Sequence, residues 1–114
     1  MTTEDFVRGF KHQKDEMMQE YFADTSAASV VSVGTHIRSL HLSAEQSETM
    51  RKLLDQALTD AFYSVLLAFD GCARLGDLEQ QSFQIQAEDG SLVCRGDGKL
   101  EGLAYESFHN KTVA

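Results

Sequence analysis

The sequence predicts an α+β domain of about four helices packed around a central apolar helix at residues 43–70, with one antiparallel β-hairpin at 80–96. Three observations lead there. A long segment, SAEQSETMRKLLDQALTDAFYSVLLAFDG, carries apolar residues at three- and four-residue steps from Met50 to Phe69, the spacing of a helical face. Two β-prone runs flank an Asp89-Gly90 dipeptide, the signature of a tight hairpin. Two further stretches, at the two ends of the chain, repeat the helical spacing.

Residues 3–22 form the first predicted helix. Phe6, Val7, Phe10, Met17, Met18, Tyr21 and Phe22 make its apolar stripe, which lapses at Lys14. Thr2 or Thr3 can cap it, and Glu4 and Asp5 suit the positive end of the helix dipole. Small polar residues, Ala23 to Ser26, break the pattern. The next run could be strand or helix. Val30, Val33, Ile37 and Leu40 keep helical steps and strict alternation fails at Val30-Val31, so a second helix is expected at roughly 27–40. Gly34 inside it costs up to about 1 kcal/mol and marks a close approach to a neighbour.

Ser43 followed by Gln46 is a capping box that opens the central helix, and Asp70-Gly71 closes it, Gly71 suiting the left-handed position. Between Ala61 and Phe69 only Ser64 interrupts the apolar run, so that end is expected to be covered on most sides. In the hairpin, a two-residue type I′ turn at Asp89-Gly90 would pair Ala87 with Leu92, Ile85 with Cys94 and Phe83 with Gly96 on one face. The opposite face would take Gln86 with Val93 and Gln84 with Arg95. Asp97 is placed to cap a last helix from about Lys99 to His109. With no proline in the chain, every break rests on Gly, Asp, Asn or Ser.

The 114 residues suit a single domain, and 42% hydrophobic with 25% charged content is that of a globular protein. No run of 18 apolar residues offers a membrane span, and MTTEDFVRGFKHQ lacks a signal-peptide apolar core, so a cytoplasmic chain is expected. Net charge is −8, with acids outnumbering bases in every third of the chain. No Lys/Arg cluster serves a phosphate backbone, which argues against nucleic acid and anionic membrane. A negative charge of this size is within the range that serves solubility, and it would also steer a basic protein partner. Cys72 and Cys94 read as reduced, buried side chains.

Templates for chemistry are not met. The chain has no phosphate-binding Gly/Lys loop, no H-E-x-x-H, no G-x-S-x-G and no CxxC. His36 and His41 lie about 140° apart on a continuous helix, a poor pair of metal ligands. His12 and His109 come from opposite ends of the chain. Glu88, Asp89 and Asp97 do not follow a calcium-loop spacing. No metal or cofactor is called for. Asp60, beside the apolar run, would need a partner such as Arg38 or Arg74, or would have its pKa raised. Asp70 is explained by its turn.

TDAFYSVLLAFDGCARLGDLEQQSFQI, the EDG turn and KLEGLAYESFH together resemble a group of small bacterial proteins without an established activity. The resemblance implies a bacterial, cytoplasmic α+β protein and supplies no catalytic residues.

The expected function is therefore a non-enzymatic protein-interaction module with an acidic surface, for example an immunity-type inhibitor of a basic partner. The alternative is a small-ligand-binding protein or minor enzyme with a pocket near Asp60, Tyr63 and His36. The hairpin's free edges suggest a homodimer with a four-stranded sheet.

Overall fold

A computed structural model describes residues 1–23 and 32–109. Its elements are α1 (Thr3–Tyr21), α2 (Val33–Ser39), α3 (Ala44–Phe69), β1 (Ile85–Gln86), β2 (Leu92–Cys94) and α4 (Lys99–Phe108). This is the α+β arrangement of four helices and one antiparallel hairpin that the sequence predicts. The second helix is shorter than expected, and residues 27–31 of the expected span lie outside the described residues, as does the tail from Asn110.

Three helices start by the same device. Thr2, Ser32 and Ser43 each accept the N3 backbone N–H, and the N3 side chain, Asp5, Thr35 or Gln46, accepts the N-cap N–H in return. Two otherwise orphaned donors are satisfied at each end, and removing one such cap costs about 1 kcal/mol. At Asp5 these hydrogen bonds hold the carboxyl below the usual carboxylate range.

Helix α2 docks on the end of α1. Gly34 is buried there, and a Cβ at this position would stand 3.2 Å from the Tyr21 carbonyl oxygen. Arg38 reaches back to donate Nη1–H to the Ala23 carbonyl at 3.0 Å. The close approach anticipated at Gly34 is real, and the guanidinium serves the carbonyl-rich end of α1.

Helices α1, α3 and α4 enclose the core. Val7, Leu66, Cys94, Leu100, Ala104 and Phe108 form its buried centre. Phe10 meets Phe62 edge-on at 6.0 Å between centroids, tying α1 to α3. The lapse at Lys14 is an ion pair buried at its lysine end: Nζ lies 2.7 Å from Asp55 Oδ1 of α3, with the lysine 6% and the aspartate 45% exposed.

One expectation about α3 is corrected. The segment 61–69 is not covered on most sides, because only Leu66 and Ala68 are buried, Ala61 and Ser64 are exposed, and the rest are half-buried. The ten residues of α4 supply Leu100, Ala104 and Phe108, half of the core's centre.

The hairpin turn also differs. Gly90 N–H donates to the Ala87 carbonyl at 2.9 Å, and Ala87 N–H donates to the Ser91 carbonyl at 2.8 Å. The loop therefore has three residues, Glu88-Asp89-Gly90, with Gly90 at φ 92° in the left-handed position that follows a type I turn. Asp89 accepts from the Ser91 N–H and hydroxyl, which lowers its carboxyl pKa to about 2. Ile85 faces Cys94 as predicted, but Gln86 faces Leu92, leaving Val93 as a bulged residue. The bulge explains why the consecutive residues Val93 and Cys94 are both buried, which strict alternation forbids. Phe83 does not pair with Gly96 in the strands; its N–H donates to the Phe69 carbonyl at 2.8 Å.

The junction of α3 and α4 fixes the whole assembly. Gly71 at φ 79° and Cys72 close α3 in a Schellman motif, their N–H groups reaching the Ala68 and Leu67 carbonyls at 3.1 and 2.9 Å. The N-cap of α4 is Gly98, which has no side chain to give. Asp70 replaces it: Oδ1 accepts Gly98 N–H at 3.1 Å and Oδ2 accepts Glu101 N–H at 2.9 Å. Asp70 is only 5% exposed. Asp97, the expected cap, accepts Lys99 N–H at 3.1 Å from an exposed position and is the lesser of the two.

Asp70→Ala is expected to lower unfolding stability by about 1–3 kcal/mol, since it removes a buried carboxylate from two part-buried N–H groups. Asp97→Ala is expected to cost about 1 kcal/mol or less, as an exposed cap does. Urea unfolding of the two variants checks the order. In the same measurement Asp55→Ala should cost about 1–3 kcal/mol by stranding the Lys14 ammonium. Lys14→Met should be neutral or stabilising, because an apolar isostere needs no partner.

Candidate functional site

The three residues singled out from sequence do not share a hydrogen bond among the described residues. Asp60 is exposed on α3 and accepts from Gln56 Nε2, one turn back, at 2.8 Å. His36 is exposed on α2. Arg38, a proposed partner of Asp60, is committed to the Ala23 carbonyl. Tyr63 alone joins a cluster. It is half-buried under α4, with its hydroxyl 3.5 Å from Glu101 Oε1 and its ring edge-on to His109 at 4.4 Å and to Tyr105 at 6.5 Å.

That cluster exists because α4 lies along the last turns of α3. Residues 101, 105 and 109 share one face of α4 at four-residue steps, and Asp70 sets the register by taking the Glu101 N–H. Its electrostatics keep protons in place. Burial, and then Glu101, push the Tyr63 phenol up from its ordinary value. Although Cys72 is exposed, partial desolvation by its neighbours pushes its thiol up, with Asp70 and Glu101 adding to it. Cys94 is raised chiefly by burial, and its thiol lies 3.2 Å from the Phe83 carbonyl oxygen and 3.4 Å from that of Phe69. At neutral pH these groups are hydrogen-bond donors, neither general bases nor thiolate nucleophiles.

Of the two cysteines, only Cys94 is buried as expected; Cys72 is exposed, and both are free. No group of three His, Cys, Asp or Glu side chains that could hold a metal occurs among the described residues. Nor is any helix among them long and apolar enough to cross a membrane.

Shallow clefts occur elsewhere. One of about 310 Å³ lies between Tyr21, Phe22, Ile37, Arg38 and His41. Another of about 470 Å³ is bordered by Asp15, Met18, Arg51 and Asp55, and a third of about 570 Å³ by Thr3, Leu92, Arg95 and Lys99. None of the three is lined by Asp60, Tyr63 or His36.

What sequence reasoning missed is the outer face of α3. Leu53, 57% exposed, continues through Ala57 and Ala61, both exposed, while Met50, Leu54, Leu58 and Val65 are half-buried beside them. At 100° per residue Leu53, Ala57 and Ala61 point away from Thr59, Phe62 and Leu66, which face the core, and Leu54, Leu58 and Val65 lie between the two sets. The signal was in the sequence as an apolar arc too wide for one buried stripe.

Cys72 is expected to be the single thiol modified in the native protein, with a pH midpoint above that of an ordinary cysteine; both thiols should react in urea. Alkylation followed by mass spectrometry reads the count, and two native modifications or a midpoint below neutrality would contradict the assignment. No known protein family, no curated protein and no solved structure matches this chain.

Proposed function

We propose that the chain is a non-enzymatic protein-interaction module of the bacterial cytoplasm that holds a basic protein partner, in the manner of an immunity-type inhibitor. The supporting observation is how the fold uses its charges. Lys14 is buried against Asp55 and Arg38 is spent on α1. Among the described residues twelve carboxylate side chains are exposed against six Lys or Arg side chains, so the surface is predominantly acidic. Such a surface steers a cationic partner and orients it, and repels acidic competitors.

The small-ligand reading has less support. Asp60 and His36 are exposed and separately placed, and Tyr63 is bonded within the fold.

Cross-linking in host lysate at low ionic strength is expected to recover a basic protein, whose affinity falls by about tenfold or more as salt rises from about 0.05 to about 0.5 M. Recovery of no basic partner, or an affinity indifferent to salt, would contradict the reading.

A further inference from the structure

We propose that the outer face of α3 is the contact surface of a homodimer, two copies packing α3 against α3 antiparallel about a two-fold axis at the level of Thr59. This rests on the interaction reading above and adds a second, apolar surface to the acidic one.

The face is uncharged. Between residues 50 and 65, an arc of about 140° from Leu53 round to Leu58 holds only apolar side chains and Ser64. It runs for about 18 Å between residues 53 and 65. In a chain of net charge −8 that is a marked exception. A basic partner would bring its cations to this arc without a carboxylate to meet them. A second copy brings an equally uncharged arc.

The face also matches itself. Ala57 and Ala61 stand two residues either side of Thr59, and Leu53 and Val65 stand six either side. Thr59 itself is 5% exposed and points inward, so the axis crosses the helix on its opposite side. A two-fold there sets each Ala57 against the copy's Ala61, each Leu53 against the copy's Ser64 on one flank, and each Leu54 against the copy's Val65 on the other. Small side chains at the crossing let the axes approach to about 8 Å, and the larger ones fill the ends. Isologous contacts require this kind of self-complementarity.

The hairpin edge is a poorer place for the axis. Its strands have two and three residues and an irregular register, so they offer a second copy few free backbone groups. A contact about 18 Å long lies at the small end of specific interfaces, so the dimer should be weak, with a micromolar dissociation constant.

Sedimentation equilibrium of the full chain, from the micromolar to the millimolar range, tests this. The mass of the unaltered chain is expected to rise from one chain to two, and at lower concentration when salt is added, because two copies of like charge repel less when screened. Ala57→Glu and Ala61→Glu each place a good helix former at an exposed position, and each should raise the dissociation constant by about a hundredfold or more with helix content unchanged by circular dichroism. Leu78→Ser, at an exposed apolar residue elsewhere, should leave association unchanged. A single-chain mass throughout, or variants at 57 and 61 that associate like the parent, would overturn the proposal. Neither result touches the acidic-surface reading, whose complex weakens with salt where this one tightens.

Discussion

The Asp70 carboxylate is the constraint on which the rest of the structure depends. It sits at the end of the longest helix and supplies the start of another, 28 and 31 residues further on. A ten-residue helix opened by glycine is marginal by itself. Held by a buried anion at its positive end, α4 can bring Leu100, Ala104 and Phe108 between α1 and α3. The same corner takes in the hairpin. Ser82 bridges to Asp70, Phe83 bonds the Phe69 carbonyl, and the Cys94 thiol lies against both neighbouring carbonyls. One side chain thus joins the local ending of a helix to the tertiary arrangement of the core.

A second consequence follows from where the fold places its charges. Burying Lys14 and occupying Arg38 removes cations from a surface already short of them. The apolar arc of the long helix is meanwhile wider than the part of it that faces the core. The outcome is a molecule with an acidic exterior and one uncharged strip. Those two features, not a cluster of reactive groups, are the distinctive chemistry of the surface. Tyr63, Cys72 and Cys94, each raised by desolvation, retain their protons near neutral pH.

What could be read from the sequence was local. The Ser43–Gln46 capping box, the left-handed Gly71, the close approach at Gly34 and the pairing of Ile85 with Cys94 all depend on residues near one another or on a turn between them. What could not be read was non-local, or decided by small differences. A glycine with positive φ fits both a type I′ turn and a left-handed bulge, so the two loop lengths look alike at Asp89-Gly90. The bulge at Val93 arises from packing, not from a residue that announces it. Asp97 stands next to the last helix and Asp70 far from it in sequence, so proximity pointed to the weaker cap. The same bias toward burial made the outer face of α3 look like core. It also drew attention to Asp60, which the structure leaves in water.

Amide hydrogen exchange resolved by residue bears most directly on the role of Asp70. The N–H groups of Gly98 and Glu101 open only when α3 and α4 separate, so they should exchange as slowly as those of Leu66 and Ala104 and by the same unfolding event. Rapid exchange at Gly98 and Glu101 while Leu66 stays protected would show that α4 is held by its apolar contacts alone, and would contradict this account.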